Sequence, residues 1–427
     1  MEVRIRGPAL VRGKARVPGD KSISHRALIL GAMAKGETEI RGLSPARDVR
    51  STADCLRSLG VEVYWEGEKA SIHGRGPELL SPPTRPLDCG NSGTTMRLLA
   101  GVLAGRPFES VLVGDESLSR RPMRRVVEPL SLMGAEIHAR AGNFPPLRVR
   151  GGYLRGIYYR LPVASAQVKS AILLAGLQAE GETVVEEPFP SRDHTERMLL
   201  FLGAELEKDG ARIRLVPGEL RARPVGVPGD FSSAAFLLAA AAPRPGAEVL
   251  VQGVGVNPTR IGFLEVLREM GADVAVLGRD EIGGEPVADV RVRGRELRAI
   301  ELGGEIVPRM IDEIPLVFVL ATQAAGTTVV RGARELRVKE SDRISAMAEN
   351  LRRLGAEVRE FPDGMEVSGP CRLKAARLSG FMDHRVVMAS AVAALFAEGE
   401  SLIEGAEWAD VSFPGFFSVL EGIVHDR

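Results

Sequence analysis

Several short strings bring together residue types that suit the binding of anions. Gly19-Asp20-Lys21-Ser22-Ile23-Ser24-His25-Arg26 sets an ammonium, two hydroxyls and a guanidinium within the first turns of an expected helix. Ser22 and Arg26 are four apart and share a face of that helix. A helix N-terminus offers unpaired N–H groups and about half a positive charge, so phosphate or carboxylate suits it. Asn91-Ser92-Gly93-Thr94-Thr95-Met96-Arg97 is a small-residue helix start that lets backbone N–H groups approach a ligand closely. Ser165-Ala166-Gln167-Val168-Lys169 offers a hydroxyl, an amide and an ammonium at another start. Taken singly, each string also reads as an ordinary capped helix with a solvated face.

Arginines and carboxylates extend the pattern. Arg47, Arg121, Arg192, Arg260 and Arg343 all stand at the start of a second class of helix. By macrodipole logic that is the wrong end for a cation, unless an anion sits between the two positive features. Met310-Ile311-Asp312-Glu313-Ile314-Pro315 sets two carboxylates beside an apolar run, where desolvation raises a carboxyl pKa toward that of a useful base. Lys339-Glu340-Ser341-Asp342-Arg343 alternates charge within one turn, and Met382-Asp383-His384-Arg385 adds an Arg and a His. Each alone reads as a cap or an ion pair. Three of them in consecutive repeat positions point to acid–base chemistry.

The elements that must position these residues form a sixfold repeat. Apolar helix patterns run into Gly36, Gly105, Gly181, Gly246, Gly326 and Gly399, each followed by strand-like sequence. A second helix in most units ends in Leu/Met-Gly-Ala/Val-acid, as at Leu59-Gly60-Val61-Glu62 and Leu202-Gly203-Ala204-Glu205. The last copy keeps only Leu420-Glu421-Gly422 and is degenerate. A repeat of about 70 residues is too long for a solenoid unit and long enough for a small α/β layer. Ser, Asn and Asp stand at the helix starts, where their oxygens accept orphan N–H groups. Val17-Pro18-Gly19-Asp20 recurs as Val227-Pro228-Gly229-Asp230, with three units after each copy. The expected division is a discontinuous domain of 1–20 plus 228–427 and a domain of 21–227, with hinges near 18–21 and 226–230. The N-terminal strand would complete the discontinuous domain. The fourth unit, with Asp230 where Lys21 would be, is expected to serve only the scaffold.

Composition narrows the class. The 427 residues carry 56 Lys+Arg against 56 Asp+Glu, so no global basic field draws nucleic acid. No apolar run approaches a membrane span, and Phe231 to Ala242 reads as a buried helix. Strand-like sequence begins at once, without a signal or transit-peptide pattern. Three scattered cysteines lack metal spacing and fit a reducing cytoplasm. The expectations are a cytoplasmic monomer without metal or cofactor, and with neither nucleic acid nor membrane as partner.

Together, in this order and on this repeat, the strings resemble the enolpyruvyl transferases, in the branch that uses shikimate 3-phosphate. The resemblance spans essentially the whole chain. Gly114-Asp115-Glu116-Ser117-Leu118 through Arg121-Pro122-Met123 belongs to it, and Arg192-Asp193-His194-Thr195-Glu196 and Asn257-Pro258-Thr259-Arg260 are similar to the bacterial class II subgroup. It implies an α/β fold of two similar domains, each of three βαβαββ units in an inverse α/β barrel-like arrangement, with the active site in the interdomain cleft. It implies transfer of the 1-carboxyvinyl group of phosphoenolpyruvate to the 5-hydroxyl of shikimate 3-phosphate, within aromatic amino acid (chorismate) biosynthesis. Both substrates carry a phosphate and a carboxylate, which would explain cations at helix N-termini.

Residue by residue, the resemblance implies that Lys21, Ser22, Arg26, Ser165, Gln167, Asp312 and Lys339 bind shikimate 3-phosphate. Lys21, Gly93, Arg121, Gln167, Arg343 and Arg385 would bind phosphoenolpyruvate. Asp312 would take the 5-hydroxyl proton, and Glu340, with Lys21, would move protons at C3. Arg192 is a further phosphate ligand on this reading. Gly93 keeps the small residue on which close inhibitor approach depends, implying sensitivity to glyphosate. One departure is Val411, where many relatives carry a Lys. The competing readings are the UDP-N-acetylglucosamine enolpyruvyl transferases, whose loop usually carries a Cys absent from 114–123 here, the RNA 3′-phosphate cyclases, and a non-catalytic anion-binding relative.

Overall fold

The computed structural model describes residues 1–425, so the last two positions of the expected 228–427 segment lie outside the described residues. Contacts divide the chain into two compact units. One holds Met1–Pro18, Pro228–Asp280 and the chain from Pro286 onward; the other holds Gly19–Val227 and Glu281–Glu285. The chain leaves one unit for the other at 18/19 and at 227/228. The short segment 281–285 comes from the end of the hairpin Asp273–Ile282 and Glu285–Arg293.

In the 19–227 unit, each repeat pairs a buried helix with a small sheet. The helices Lys21–Met33, Gly93–Ala104 and Ala166–Gly176 precede strands Lys35–Arg41, Glu109–Val113 and Thr183–Glu186. Each of these strands pairs antiparallel with the inner strand of a hairpin and parallel with a short outer strand. In the other unit the corresponding helices are Phe231–Ala241, Ile314–Ala321 and His384–Ala394. Every residue of Phe231–Ala241 is buried, as its composition suggested. The degenerate sixth repeat lacks a hairpin partner for its strand Gly399–Glu404. The N-terminal strand Glu2–Gly7 fills that place by antiparallel pairing.

Local chemistry sets the helix boundaries. Asp20, Ser92, Ser165, Asp230 and Asp383 each accept a backbone N–H near the start of the helix that follows, and each such cap is worth about 1 kcal/mol. At the other end of the second helices, Gly60 and Gly203 adopt φ of 83° and 92°. The left-handed conformation ends a helix at low cost only for a residue without Cβ, which explains the recurrent Leu-Gly signature. The repeated Pro-Gly is also sterically fixed: a Cβ on Gly19 would sit 1.7 Å from the Gly42 carbonyl oxygen.

Phe231, not Asp230, is the counterpart of Lys21. Asp230 caps the fourth unit's first helix as Asp20 caps the first unit's, with the same 2.9 Å bond to the third N–H. The expectation that Asp230 occupies the lysine position is therefore one residue out of register. The loss of the cation stands, since Phe231 is fully buried.

Candidate active site

Within the 19–227 unit the helix N-termini converge through side chains. The Thr95 hydroxyl, in the first turn of Gly93–Ala104, contacts Thr52 at 2.7 Å and the Asp48 carbonyl at 3.4 Å, both on the helix Arg47–Ser58. His25, one turn into Lys21–Met33, reaches the same Thr52 at 2.7 Å. Gln167 joins the third repeat to the second: its amide nitrogen donates to Thr94 at 2.8 Å and its oxygen accepts from Arg97 at 2.6 Å. Sequence spacing alone could not bring these strings together. Packing of the three repeats does.

Lys21 opens its helix with the ammonium 2.9 Å from Asp48, both largely shielded. Ser22 beside it is partly exposed. Arg26 is 3% exposed and donates to Thr195 (2.6 Å), Ser170 (2.8 Å) and the Ser22 carbonyl (2.8 Å). Burial pulls its guanidinium down to about 10, and Glu196 and Asp20 partly offset that. It therefore stays charged at neutral pH. Arg192 is close enough to disfavour that charge further. Two neighbouring cations are best accommodated by a shared anion. Ser165 caps its helix and Arg121 donates to Asn91 at 2.6 Å. Gly93 faces both Arg97 and Arg121: a Cβ there would lie 2.7 Å and 3.5 Å from their terminal nitrogens.

The ammonium that sequence set beside Gln167 is turned away. Lys169 is fully buried, at 2.8 Å from Glu187 and 2.6 Å from Glu196. It forms a buried ion triad with Glu196, on the helix of Thr195, and with Glu187, just after the strand Thr183–Glu186; Ser170 and Thr195 are the two hydroxyls that hold Arg26.

The second cluster belongs to the other unit. Arg343, 1% exposed, donates to Asp383 (2.8 Å), Asp312 (3.2 Å) and Glu340 (2.6 Å). These carboxylates raise its guanidinium further above the usual arginine value despite its burial. Asp312 thus lies against a guanidinium rather than a purely apolar wall, and an adjacent cation supports a carboxylate in its proton-accepting form. Glu313, the other carboxylate of that string, is fully buried and accepts from Ser232. Arg260 donates to the same Ser232 at 3.0 Å and lies 3.4 Å from Asp230. In the fourth repeat, then, the anion opposite the helix-start arginine is supplied by the protein itself.

Lys339 and Arg385 differ from Arg343. Among the described residues no hydrogen bond or ion pair joins either side chain to a protein acceptor. Arg385 is 5% exposed with a buried, unsatisfied Nε, and its guanidinium lies 5.8 Å from the Phe236 ring centre. The Lys339 ammonium is shifted downward, by desolvation first, with Asp312 opposing. Buried charge without a partner is costly, so such groups point to an external anion. Val411 is buried on the short helix Ala406–Val411, and so offers no charge there. The sequence reading gave no role to Asp48, Ser170, Thr195 or Arg97. Asp in a first helical turn and Ser or Thr within a helix are common enough to pass unremarked.

Among the described residues there is no group of three or more His, Cys, Asp and Glu arranged to hold a metal ion, and no helix long and apolar enough to cross a membrane.

A family model described as EPSP synthase (3-phosphoshikimate 1-carboxyvinyltransferase) matches residues 5–420. A protein named 3-phosphoshikimate 1-carboxyvinyltransferase from Geobacter sp. (strain M21) is 53% identical over 416 residues, covering 97% of each chain. One of the same name from Halorhodospira halophila (strain DSM 244 / SL1) is 54% identical over 420 residues, covering 98% of this chain and 95% of that one. The solved structure of EPSP synthase from Acinetobacter baumannii superimposes with a TM-score of 0.88 at 43% identity, over 100% of this chain and 99% of that chain. The enolpyruvyl transferase NikO from Streptomyces tendae gives 0.81 at 17% identity, over 99% and 98% of the two chains, which bears on the fold alone. With the sixfold repeat and both charged clusters, these similarities make one statement: the chain belongs to the EPSP synthase (3-phosphoshikimate 1-carboxyvinyltransferase) family.

Proposed function

We propose that the protein transfers the 1-carboxyvinyl group of phosphoenolpyruvate to the 5-hydroxyl of shikimate 3-phosphate, releasing phosphate. The observation that carries this reading is the pair of buried or desolvated cations, Lys339 and Arg385, which among the described residues no hydrogen bond or ion pair joins to a protein acceptor. Two substrates that each bear a phosphate and a carboxylate would supply what these groups lack. Relatives at 53% and 54% identity carry the name of this activity, which favours it over transfer to a sugar nucleotide.

On this reading Lys21, Ser22, Arg26, Ser165, Gln167 and Lys339 hold shikimate 3-phosphate, with Arg192 beside Arg26. Lys21, Gly93, Arg121, Gln167, Arg343 and Arg385 hold phosphoenolpyruvate, the arginine forks matching carboxylate and phosphate oxygens. Asp312 takes the 5-hydroxyl proton as that oxygen attacks C2, while Glu340 with Lys21 gives a proton to C3. The tetrahedral intermediate then loses phosphate, and Glu340 with Lys21 removes a C3 proton to leave the enol ether. Fixed positive charge around the developing intermediate supplies the stabilisation.

The test is phosphate release from purified protein given both substrates. Asp312→Ala should slow turnover by roughly two to four orders of magnitude. Absence of release from folded protein, or release only with UDP-N-acetylglucosamine as acceptor, would sink the reading.

A further inference from the structure

The 19–227 unit carries a cavity at the opposite ends of the three helices whose N-termini form the charged cluster. It is a half-open recess of about 370 Å³, within the range of small-molecule sites. Met33 ends the first helix, Arg106 stands two residues beyond the second, and Leu177 caps the third; all three line it. In the other unit the corresponding end is packed with Phe396, whose ring centre lies 5.5 Å from the Arg244 guanidinium. The cavity is thus not an unavoidable consequence of the repeat.

Two buried polar groups in its wall lack partners. Arg106 is 8% exposed, its Nε is unsatisfied, and among the described residues no hydrogen bond or ion pair joins its guanidinium to an acceptor. Desolvation pulls its charge down and Glu78 only partly compensates. The converging helix C-termini favour a cation there, yet its fork remains without an oxygen to bind. Gln178 donates to the Val102 and Leu174 carbonyls, both at 3.1 Å, which fixes the amide and leaves its oxygen buried without a donor. Arg106 needs an acceptor, whereas the Gln178 oxygen is occluded; the carboxylates a ligand can reach are those of Glu78 and Glu219.

The remaining charge in the wall balances. Lys35 and Arg106 face Glu78 and Glu219, with Lys35 already paired to Glu219. A net-neutral wall disfavours a net anion and suits a dipolar ligand. Met33, Leu177 and Leu220 give it apolar surface.

We propose that this cavity is a second binding site, for a small zwitterion with an apolar body, an α-amino acid in chemical class. Its carboxylate pairs with Arg106, its ammonium with the exposed Glu78 carboxylate, and its side chain lies on Met33 and Leu220. Nothing in this assignment depends on the activity proposed above.

Calorimetric titration of the full chain with L-leucine and L-phenylalanine tests it. At least one should bind saturably, with a Kd below about 1 mM, and isopentylamine and N-acetyl-L-leucine, which lack the carboxylate and the ammonium, should bind at least tenfold more weakly. Arg106→Met should weaken binding at least tenfold with steady-state turnover retained. Gly218→Trp provides a second variant, because Gly218 lines the cavity and a Cβ there meets nothing within 4 Å. Its ring would occupy the space with Arg106 intact, and binding should again be lost. No saturable heat with either amino acid, equal affinity in both variants, or displacement by shikimate 3-phosphate would overturn the proposal.

Discussion

The Lys21 ammonium lies 2.9 Å from the Asp48 carboxylate, joining the first residue of one helix to the first turn of the next. On the proposed function Lys21 meets both substrates, so its position matters more than its charge alone. Asp48→Asn keeps the shape and removes the charge that holds the lysine. We expect kcat/KM to fall roughly ten- to a hundredfold, since a reacting group displaced by about 1 Å costs rates on that order. Steady-state kinetics that match the unsubstituted protein would show that Asp48 does not position Lys21.

Gly93 is a steric gate on two arginines. The Cβ of Gly93→Ala would sit 2.7 Å from an Arg97 nitrogen and 3.5 Å from an Arg121 nitrogen. Both are ends of flexible side chains, so the fold survives while the arginines move. The KM for phosphoenolpyruvate should rise several-fold with kcat largely kept, and glyphosate inhibition should weaken in the same variant. An unchanged KM would mean that phosphoenolpyruvate does not meet these side chains.

Arg343 neutralises Asp312, Glu340 and Asp383 at once. Arg343→Met removes the cation that three shielded carboxylates share. The loss should be about 3–5 kcal/mol, read by urea unfolding. Arg343→Lys restores charge without the planar fork and should recover part of the stability but little turnover. Equal unfolding midpoints for Met and unsubstituted protein would contradict this.

His25 predicts an acid-side weakness. Burial first, then Lys21 and Arg26, hold its imidazole well below the ordinary value of 6.5. The folded state keeps it neutral while the unfolded chain takes up a proton as pH falls through about 6.5. Its contribution to stability is therefore present above that pH and is lost on acidification, at up to about 1.4 kcal/mol per pH unit. His25→Gln should flatten thermal stability between roughly pH 6.5 and 5. The same slope in both proteins would exclude His25 as its source.

Much of this protein was legible as local chemistry. The repeat, its caps and its left-handed helix stops depend on a few neighbouring residues, and so does the sign of charge at Lys21, Arg121 and Arg385. Even the degenerate sixth copy could be read from the shortened Leu420-Glu421-Gly422. Asp230 was misplaced by one position because a capping Asp and a missing Lys look alike until the helix start is fixed.

Which charges are satisfied internally was decided only by tertiary packing. Lys169 and Lys339 both stand in charged helix-start strings, yet Lys169 is enclosed by Glu187 and Glu196, while among the described residues no hydrogen bond or ion pair joins Lys339 to an acceptor. Arg260 and Arg343 find carboxylates contributed from elsewhere in their unit, about 30 to 40 residues away in sequence. The energy of a buried charge depends on every group within a few ångströms. Most of those groups sit on other elements about 18 to 40 residues away, beyond a short window along the chain. The sequence by itself determined that helix starts would carry the charge; the packing of the repeats decided which of those charges the protein neutralises and which it leaves for a ligand.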